Sequence, residues 1–236
     1  MDRRHFIVGA TSVAAALPFA ARAQGKLKIA TIGAGREGGA LGTRFAKEGY
    51  PVMFSSRNPE GLKDLVAAAG PNAKAGTVAE AVAFGDVVLI VVPYPAVEQI
   101  AKDYGKALAT KQLVIDVSNP IARRDGEEFV KKINDQGGVG LVAAKMFPGV
   151  HLVRGFNAIG SAGLEKNAHR SGEPLGVPIA SDDPKAAELA AKLIKDIGFE
   201  AVLVGGMAKG KYLVPGTPLG GELTPDQIRK NAATLS

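Results

Sequence analysis

Short apolar runs alternate with longer stretches whose apolar residues recur every three or four positions, and this alternation continues from Leu27 to Val204. Leu27, Ile29 and Ile32 predict a first strand, Pro51 to Ser55 a second and Ala73 to Ala75 a short third. Asp86 to Val92 is an unbroken apolar run, the pattern of a strand covered on both faces. Leu113 to Val117 and Leu152 to Phe156 predict the fifth and sixth strands. Helices are expected between them. Leu41 and Phe45 lie one turn apart before a stop at Gly49, and Leu62, Leu65 and Val66 form a stripe within Asn58 to Gly70. Thr77 and Glu80 have capping-box spacing at the head of a helix reaching Phe84. Pro95 opens another helix, with Val97, Ile100, Ala101, Tyr104 and Leu108 on one face. Glu127 to Phe147 reads as helix interrupted at Gly137, Gly138 and Gly140. A further strand, capped helix and strand follow in Val177 to Ala180, Asp183 to Ile197 and Ala201 to Val204. From Gly205 onward the density of glycine and proline predicts irregular chain. Strand–helix alternation of this kind predicts an α/β fold, a Rossmann-type doubly wound parallel sheet followed by a smaller C-terminal α/β domain. The expected division is residues 25–150 for the first domain and 151–236 for a substrate-binding or dimerisation domain.

The first strand-to-helix junction carries chemistry. Gly33, Gly35 and Gly38 complete G-x-G-x-x-G, with Ala34, Arg36 and Glu37 between them. The first glycine allows the tight turn, the second lets backbone amides approach a pyrophosphate, and the third lets the helix pack close to the sheet. The new helix directs its positive N-terminus at that pyrophosphate. At the end of the second strand, where an NAD-binding chain normally carries Asp or Glu for the ribose, this chain has Ser55, Ser56 and Arg57. A carboxylate would repel a 2′-phosphate, whereas a guanidinium and a hydroxyl would hold one. The expected cofactor is NADP.

Ligands in open α/β sheets bind beyond the carboxyl ends of the strands. Those ends carry the glycine loop, then Ser56 and Arg57, then Pro93 and Tyr94, then Ser118, Asn119 and Pro120, and finally Asn157, Ala158 and Ile159. Together they predict one trough for an extended dinucleotide.

Residues 1–24 are not expected to belong to the fold. Arg3 and Arg4 precede an uncharged run from Phe6 to Ala21, and Ala21-Arg22-Ala23 resembles a cleavage site. The run is shorter than the roughly 20 apolar residues of a membrane span, so no stable span is expected. Paired arginines ahead of a mildly apolar stretch resemble a twin-arginine export signal. That implies recognition by the twin-arginine machinery and a periplasmic or otherwise exported location for a protein folded around its cofactor beforehand.

Composition narrows the chemistry. The chain has no cysteine, which excludes disulfides and thiol nucleophiles. Its net charge is +6; Arg3, Arg4, Arg22 and Asp2 account for two of those charges, leaving +4 for the rest. No basic stripe accompanies that excess, so nucleic acid is not an expected partner. The three histidines and the acidic residues show no metal-ligand spacing, and no G-x-S-x-G elbow occurs. None of the tyrosines has a lysine four residues later. Reduction of a carbonyl therefore lacks an obvious acid for the developing alkoxide. Hydride transfer between two flat redox rings needs chiefly their apposition and the exclusion of water.

The opening GAGREGGALGTRFAKEGYPVMFSSR, then VVPY, VRGFNAIGSAGL and IASDDPKAAELAAKLIKDIGFEAVLVG together resemble the coenzyme F420-dependent NADP oxidoreductase family. The resemblance runs from about Leu27 to Leu213. It implies a Rossmann domain with a small second α/β domain, and a homodimer. It places Ala34 to Gly38 on the pyrophosphate, Ser56 and Arg57 on the 2′-phosphate, and Val92, Pro93 and Ser161 along the NADP. Asn119 is a further candidate on the same trough, and Asn157 falls beside the reacting rings as the candidate catalytic residue. The small-molecule acceptor is expected to be F420, a flavin, or a small imine or metal chelate. A non-catalytic NADP-binding sensor or accessory protein is the alternative.

Overall fold

A computed structural model describes residues 25–235; the leader assigned to residues 1–24 lies outside them. β1 (Ile29–Ile32) is wholly buried and leads through the glycine loop into α1 (Arg36–Lys47), whose Leu41 and Phe45 lie against the sheet. Gly49, at φ 78°, ends that turn and releases the chain into β2 (Val52–Ser55). A 3₁₀ turn at Pro59–Leu62 precedes α2 (Lys63–Ala69), and β3 (Ala73–Gly76) forms the sheet edge. Thr77 caps α3 (Val78–Phe84) in a complete capping box with Glu80. β4 (Val87–Ile90) is shorter than its apolar run: Val91 and Val92 have left the sheet and face the ligand side. After a 3₁₀ turn at Tyr94–Ala96 come α4 (Val97–Leu108) and β5 (Leu113–Asp116).

A short α5 (Ala122–Asp125) precedes the stretch expected to be helix interrupted at its glycines, which is α6 (Glu127–Asp135) and α7 (Val139–Met146). Gly137 and Gly138, with φ of 94° and 91°, make the break between the last two. Gly140 instead lies inside α7, where a Cβ would fall 2.0 Å from the carbonyl oxygen of Met207. It is there for close packing. β6 (Leu152–Arg154) completes a parallel sheet in the order β3-β2-β1-β4-β5-β6, the doubly wound Rossmann arrangement.

α8 (Ser161–Asn167) then packs on α1. β7 (Gly176–Ile179), α9 (Pro184–Asp196) and β8 (Glu200–Leu203) form a second unit around a two-stranded parallel sheet. Asp183 caps α9 by accepting from the amides of Lys185 and Ala186. Position 150/151 falls just before β6, and α9 lies against β5 and β6. One apolar core runs from Ile29 and Phe54 through Ile115 to Leu193 and Phe199. The C-terminal segment corrects the expectation of irregular chain. It contains a 3₁₀ turn at Met207–Tyr212 and α10 (Pro225–Ala232), started by a Thr224–Gln227 capping box and anchored by buried Ile228. Among the described residues no helix is long and apolar enough to cross a membrane.

Candidate functional site

The three loop glycines have different physical duties. Gly33 has φ 99°, and a Cβ there would lie 2.3 Å from the carbonyl oxygen of Val91. At Gly38 a Cβ would lie 2.1 Å from the carbonyl oxygen of Gly33. Both positions are closed by the fold itself. Gly35, at φ −72°, has no atom within 4 Å of such a Cβ. Its missing side chain serves no internal packing; it leaves the N-terminus of α1 open to a ligand, as a pyrophosphate requires.

Two abutting cavities share this loop. One, of about 640 Å³, runs over Gly33, Ala34 and Gly35 to Ser56, Arg57, Ile100 and Tyr104. The other, of about 510 Å³, runs over Gly35, Arg36, Glu37 and Gly38 to Ser118, Asn119, Asn157 and Ser161. Val92 and Pro93 border both, and Gly33 to Gly38, Ser56, Arg57, Asn119, Asn157 and Ser161 each line one cavity or the other. Pro120 and Ala158, from the expected strand-end trough, do not line either cavity. Tyr94 also departs from that trough. It is buried and lines neither cavity, with its ring against Phe129 and its hydroxyl donating to the carbonyl of Val139 at 3.5 Å. Burial, with the nearby Asp116 carboxylate, pushes its phenol upward.

At the larger cavity Arg57 is exposed and makes no hydrogen bond or ion pair among the described residues. Ser56 Oγ accepts from the Asn58 amide at 3.1 Å and keeps its own proton to donate. A free guanidinium beside a free hydroxyl donor, with no carboxylate at the end of β2, suits a phosphate.

The smaller cavity is built from a hydrogen-bonded knot. Asn157 follows Phe156, whose φ of 63° is unusual for a bulky residue and is held by edge contact with Phe199. This turn carries Asn157 under the ends of β5 and β6. Its amide nitrogen donates to the carbonyls of Asp116 at 3.0 Å and Ser118 at 3.3 Å, while its Oδ1 is buried without a partner. Asn119 Nδ2 donates to the carbonyl of Asn157 at 2.8 Å. The Ser161 amide is already committed, donating to Glu37 Oε1 at 2.8 Å. The other oxygen, Glu37 Oε2, is buried and unpartnered. Burial raises the Glu37 carboxyl, opposed by the Ser161 amide and the Arg36 charge and assisted by Glu165.

Sequence reasoning missed several members. Arg154 and Asp116 form a fully buried ion pair beneath the knot. Ile121, Arg124 and Pro215 complete the cavity wall, Arg124 pairing with Asp125 and donating to the carbonyl of Asn119. An arginine inside an otherwise apolar strand was the available signal for the first pair. His151 stands before the other end of β6, hydrogen-bonded to Asp183, whose carboxyl that contact lowers. It is remote from the trough. Among the described residues no cluster of His, Cys, Asp or Glu could hold a metal ion.

The family model described as NADP oxidoreductase, coenzyme F420-dependent, matches residues 28–120. No curated protein is detectably similar to the chain. Of solved structures, a hypothetical protein from Sinorhizobium meliloti is 27% identical, with a TM-score of 0.71 over 84% of this chain and 95% of that one. A protein from Arthrobacter sp. FB24, described provisionally as an F420-dependent NADP reductase, is 19% identical, with a TM-score of 0.67 over 78% and 87%. An imine reductase from Myxococcus stipitatus in complex with NADP+ is 18% identical, with a TM-score of 0.57 over 78% and 57%. The last two likenesses are likenesses of fold. The chain therefore has a doubly wound Rossmann fold with a two-part trough at the carboxyl ends of its strands, where sheets of this kind bind ligands.

Proposed function

We propose that the chain is an NADP(H)-dependent oxidoreductase that moves a hydride between nicotinamide and a second redox acceptor, deazaflavin-like or flavin-like. The observation that carries this reading is the continuous trough, open at Gly35 and ending at unpaired Arg57 on one side and at the Ser118–Asn119–Asn157 knot on the other. The family match over residues 28–120 supports it. When bound, NADPH supplies the hydride. The chain's own residues would do the rest. Gly35 and the α1 N-terminus receive the pyrophosphate, Ser56 and Arg57 hold the 2′-phosphate, and Val92 and Pro93 border the ribose path. Asn157, spending its amide nitrogen on the strand ends, offers only Oδ1 towards a ring substituent.

Export through the twin-arginine route, a small C-terminal domain beginning near residue 151 and a homodimer complete the proposal. Titration of the purified protein with NADPH and NADH, followed by nicotinamide fluorescence, tests its core. NADPH should bind at least about tenfold tighter, equivalent to about 1.4 kcal/mol. A preference for NADH would overturn the assignment.

A further inference from the structure

Arg154 is wholly buried in the last strand of the main sheet, yet it does not touch either cavity. Nη1 donates to Asp116 Oδ2 at 2.5 Å and to the carbonyl of Ser118 at 3.1 Å, and Nη2 donates to Asn119 Oδ1 at 3.0 Å. Asp116 in turn accepts from the amide and hydroxyl of Ser118 through Oδ1. Asn119, with its oxygen fixed by Arg154, can only turn its nitrogen to the carbonyl of Asn157. Each contact ends on a cavity-lining residue or on the carboxylate that holds one.

A charge buried this deeply has to be compensated, since desolvation disfavours it strongly. Here the fold goes further and shuts water out. A Cβ at Gly210 would lie 2.8 Å from Arg154 Cδ and 2.9 Å from the Cα of Gly140, so these two glycines let the Met207–Tyr212 turn close over the guanidinium stem. Arg154 Nε is left without an acceptor. A residue needed only to fill the core would be apolar at lower cost. The planar fork is what the site uses, because one group must reach a side-chain carboxylate, a backbone carbonyl and an amide oxygen at once.

We propose that Arg154 is the positioning residue of the nicotinamide half of the trough, orienting Asn119 and, through it, Asn157 against the ring. This rests on the dinucleotide reading above. Lysine can keep the charge against Asp116 but cannot also reach Asn119, so Arg154→Lys separates burial of charge from orientation.

The test uses the full folded protein and the emission of bound NADPH, which reports the ring's surroundings without an identified acceptor. The chain has no tryptophan, so no indole transfers energy to the ring. Arg154→Lys should leave NADPH affinity within about threefold of wild type, because the adenosine half is untouched, and should lose at least about half of the emission enhancement. Asn119→Ala should lose as much, and the double variant no more than either alone, as expected of groups acting in one chain. Should Arg154→Lys fail to fold, the paired Asp116→Asn/Arg154→Met variant removes both charges together and should show the same loss. Wild-type emission in whichever of these folds, or additive losses in the double variant, would overturn the proposal. If the wild type does not bind NADPH, the dinucleotide reading fails first, and that outcome is distinct.

Discussion

Alanine at Gly35 and at Gly38 should do opposite things, although the two glycines are three residues apart in one motif. At Gly38 the new Cβ falls 2.1 Å from a backbone carbonyl oxygen and 3.5 Å from the Val91 Cβ, and a methyl has no rotamer with which to escape. Overpacking of this kind costs about 1–3 kcal/mol. For a domain of this size each kcal/mol is worth about 2–4 °C, so Tm should fall by roughly 2–12 °C. At Gly35 the Cβ meets nothing, and φ −72° suits alanine. Loss of chain entropy in the unfolded state stabilises such a variant by about 0.4–1 kcal/mol, while a poorer N-cap offsets a similar amount. Tm should therefore stay within about 3 °C. The methyl does, however, occupy the face where the pyrophosphate must contact backbone amides. NADPH affinity should drop at least about tenfold, or about 1.4 kcal/mol. Differential scanning fluorimetry and an NADPH titration on both variants decide the matter. A Gly35→Ala protein that binds NADPH normally would refute the trough assignment, and a Gly38→Ala protein with wild-type Tm would refute the packing argument.

Three further outcomes follow from the same site. Arg57→Ala should weaken NADPH by about 1.5–3 kcal/mol, the range for hydrogen bonds to a charged group, and leave NADH and Tm nearly unchanged; equal loss for both nucleotides would make Arg57 structural. Asn157→Ala should lower turnover more than NADPH affinity, and should also lower Tm because the buried carbonyls of Asp116 and Ser118 each lose one of two donors; full activity would remove Asn157 from the reaction. Glu37 gives a pH dependence. Its carboxyl is raised in the fold, so ionisation disfavours the native state, and wild-type stability is lost as pH climbs from about 4.5 through the folded value. Relative to wild type, Glu37→Gln should gain stability over that window and then level off, and a Tm difference constant from about pH 4 to 8 would contradict it.

The alternation of apolar runs made the six-stranded sheet legible because parallel strands are buried on both faces, and the glycine loop stood out because backbone geometry restricts what it can be. Thr77 with Glu80 and Asp183 with Pro184 were equally readable, since capping is local. The tail was misread for the converse reason. Its glycines and prolines belong to turns at positions such as Gly206, Gly210 and Pro215, while Thr224, Pro225 and Gln227 carry a complete helix start that the surrounding glycine density hid. At the site, residues of the glycine loop and the strand ends were found, whereas those whose part depends on a contact between strands or comes from the tail were not. Asp116 and Arg154 are 38 positions apart and meet only because β6 lies beside β5, and Pro215 reaches the cavity from beyond β8. Side-chain direction was also beyond the pattern. Nothing local says that Tyr94 turns away from the trough, or that the Ser161 amide is taken by Glu37.

The most direct test of the account is single-turnover oxidation of bound NADPH, followed at 340 nm in stopped flow with a panel of acceptors. A deazaflavin, a flavin, a quinone, a ferric chelate and a cyclic imine should each be mixed with the preformed NADPH complex. The account predicts loss of the 340 nm band with the deazaflavin or the flavin, in stoichiometric proportion to enzyme-bound NADPH and slower when NADH is substituted. Tight binding of NADPH with no oxidation by any of the five would contradict it, and would identify the chain as a nucleotide-binding protein without hydride-transfer chemistry.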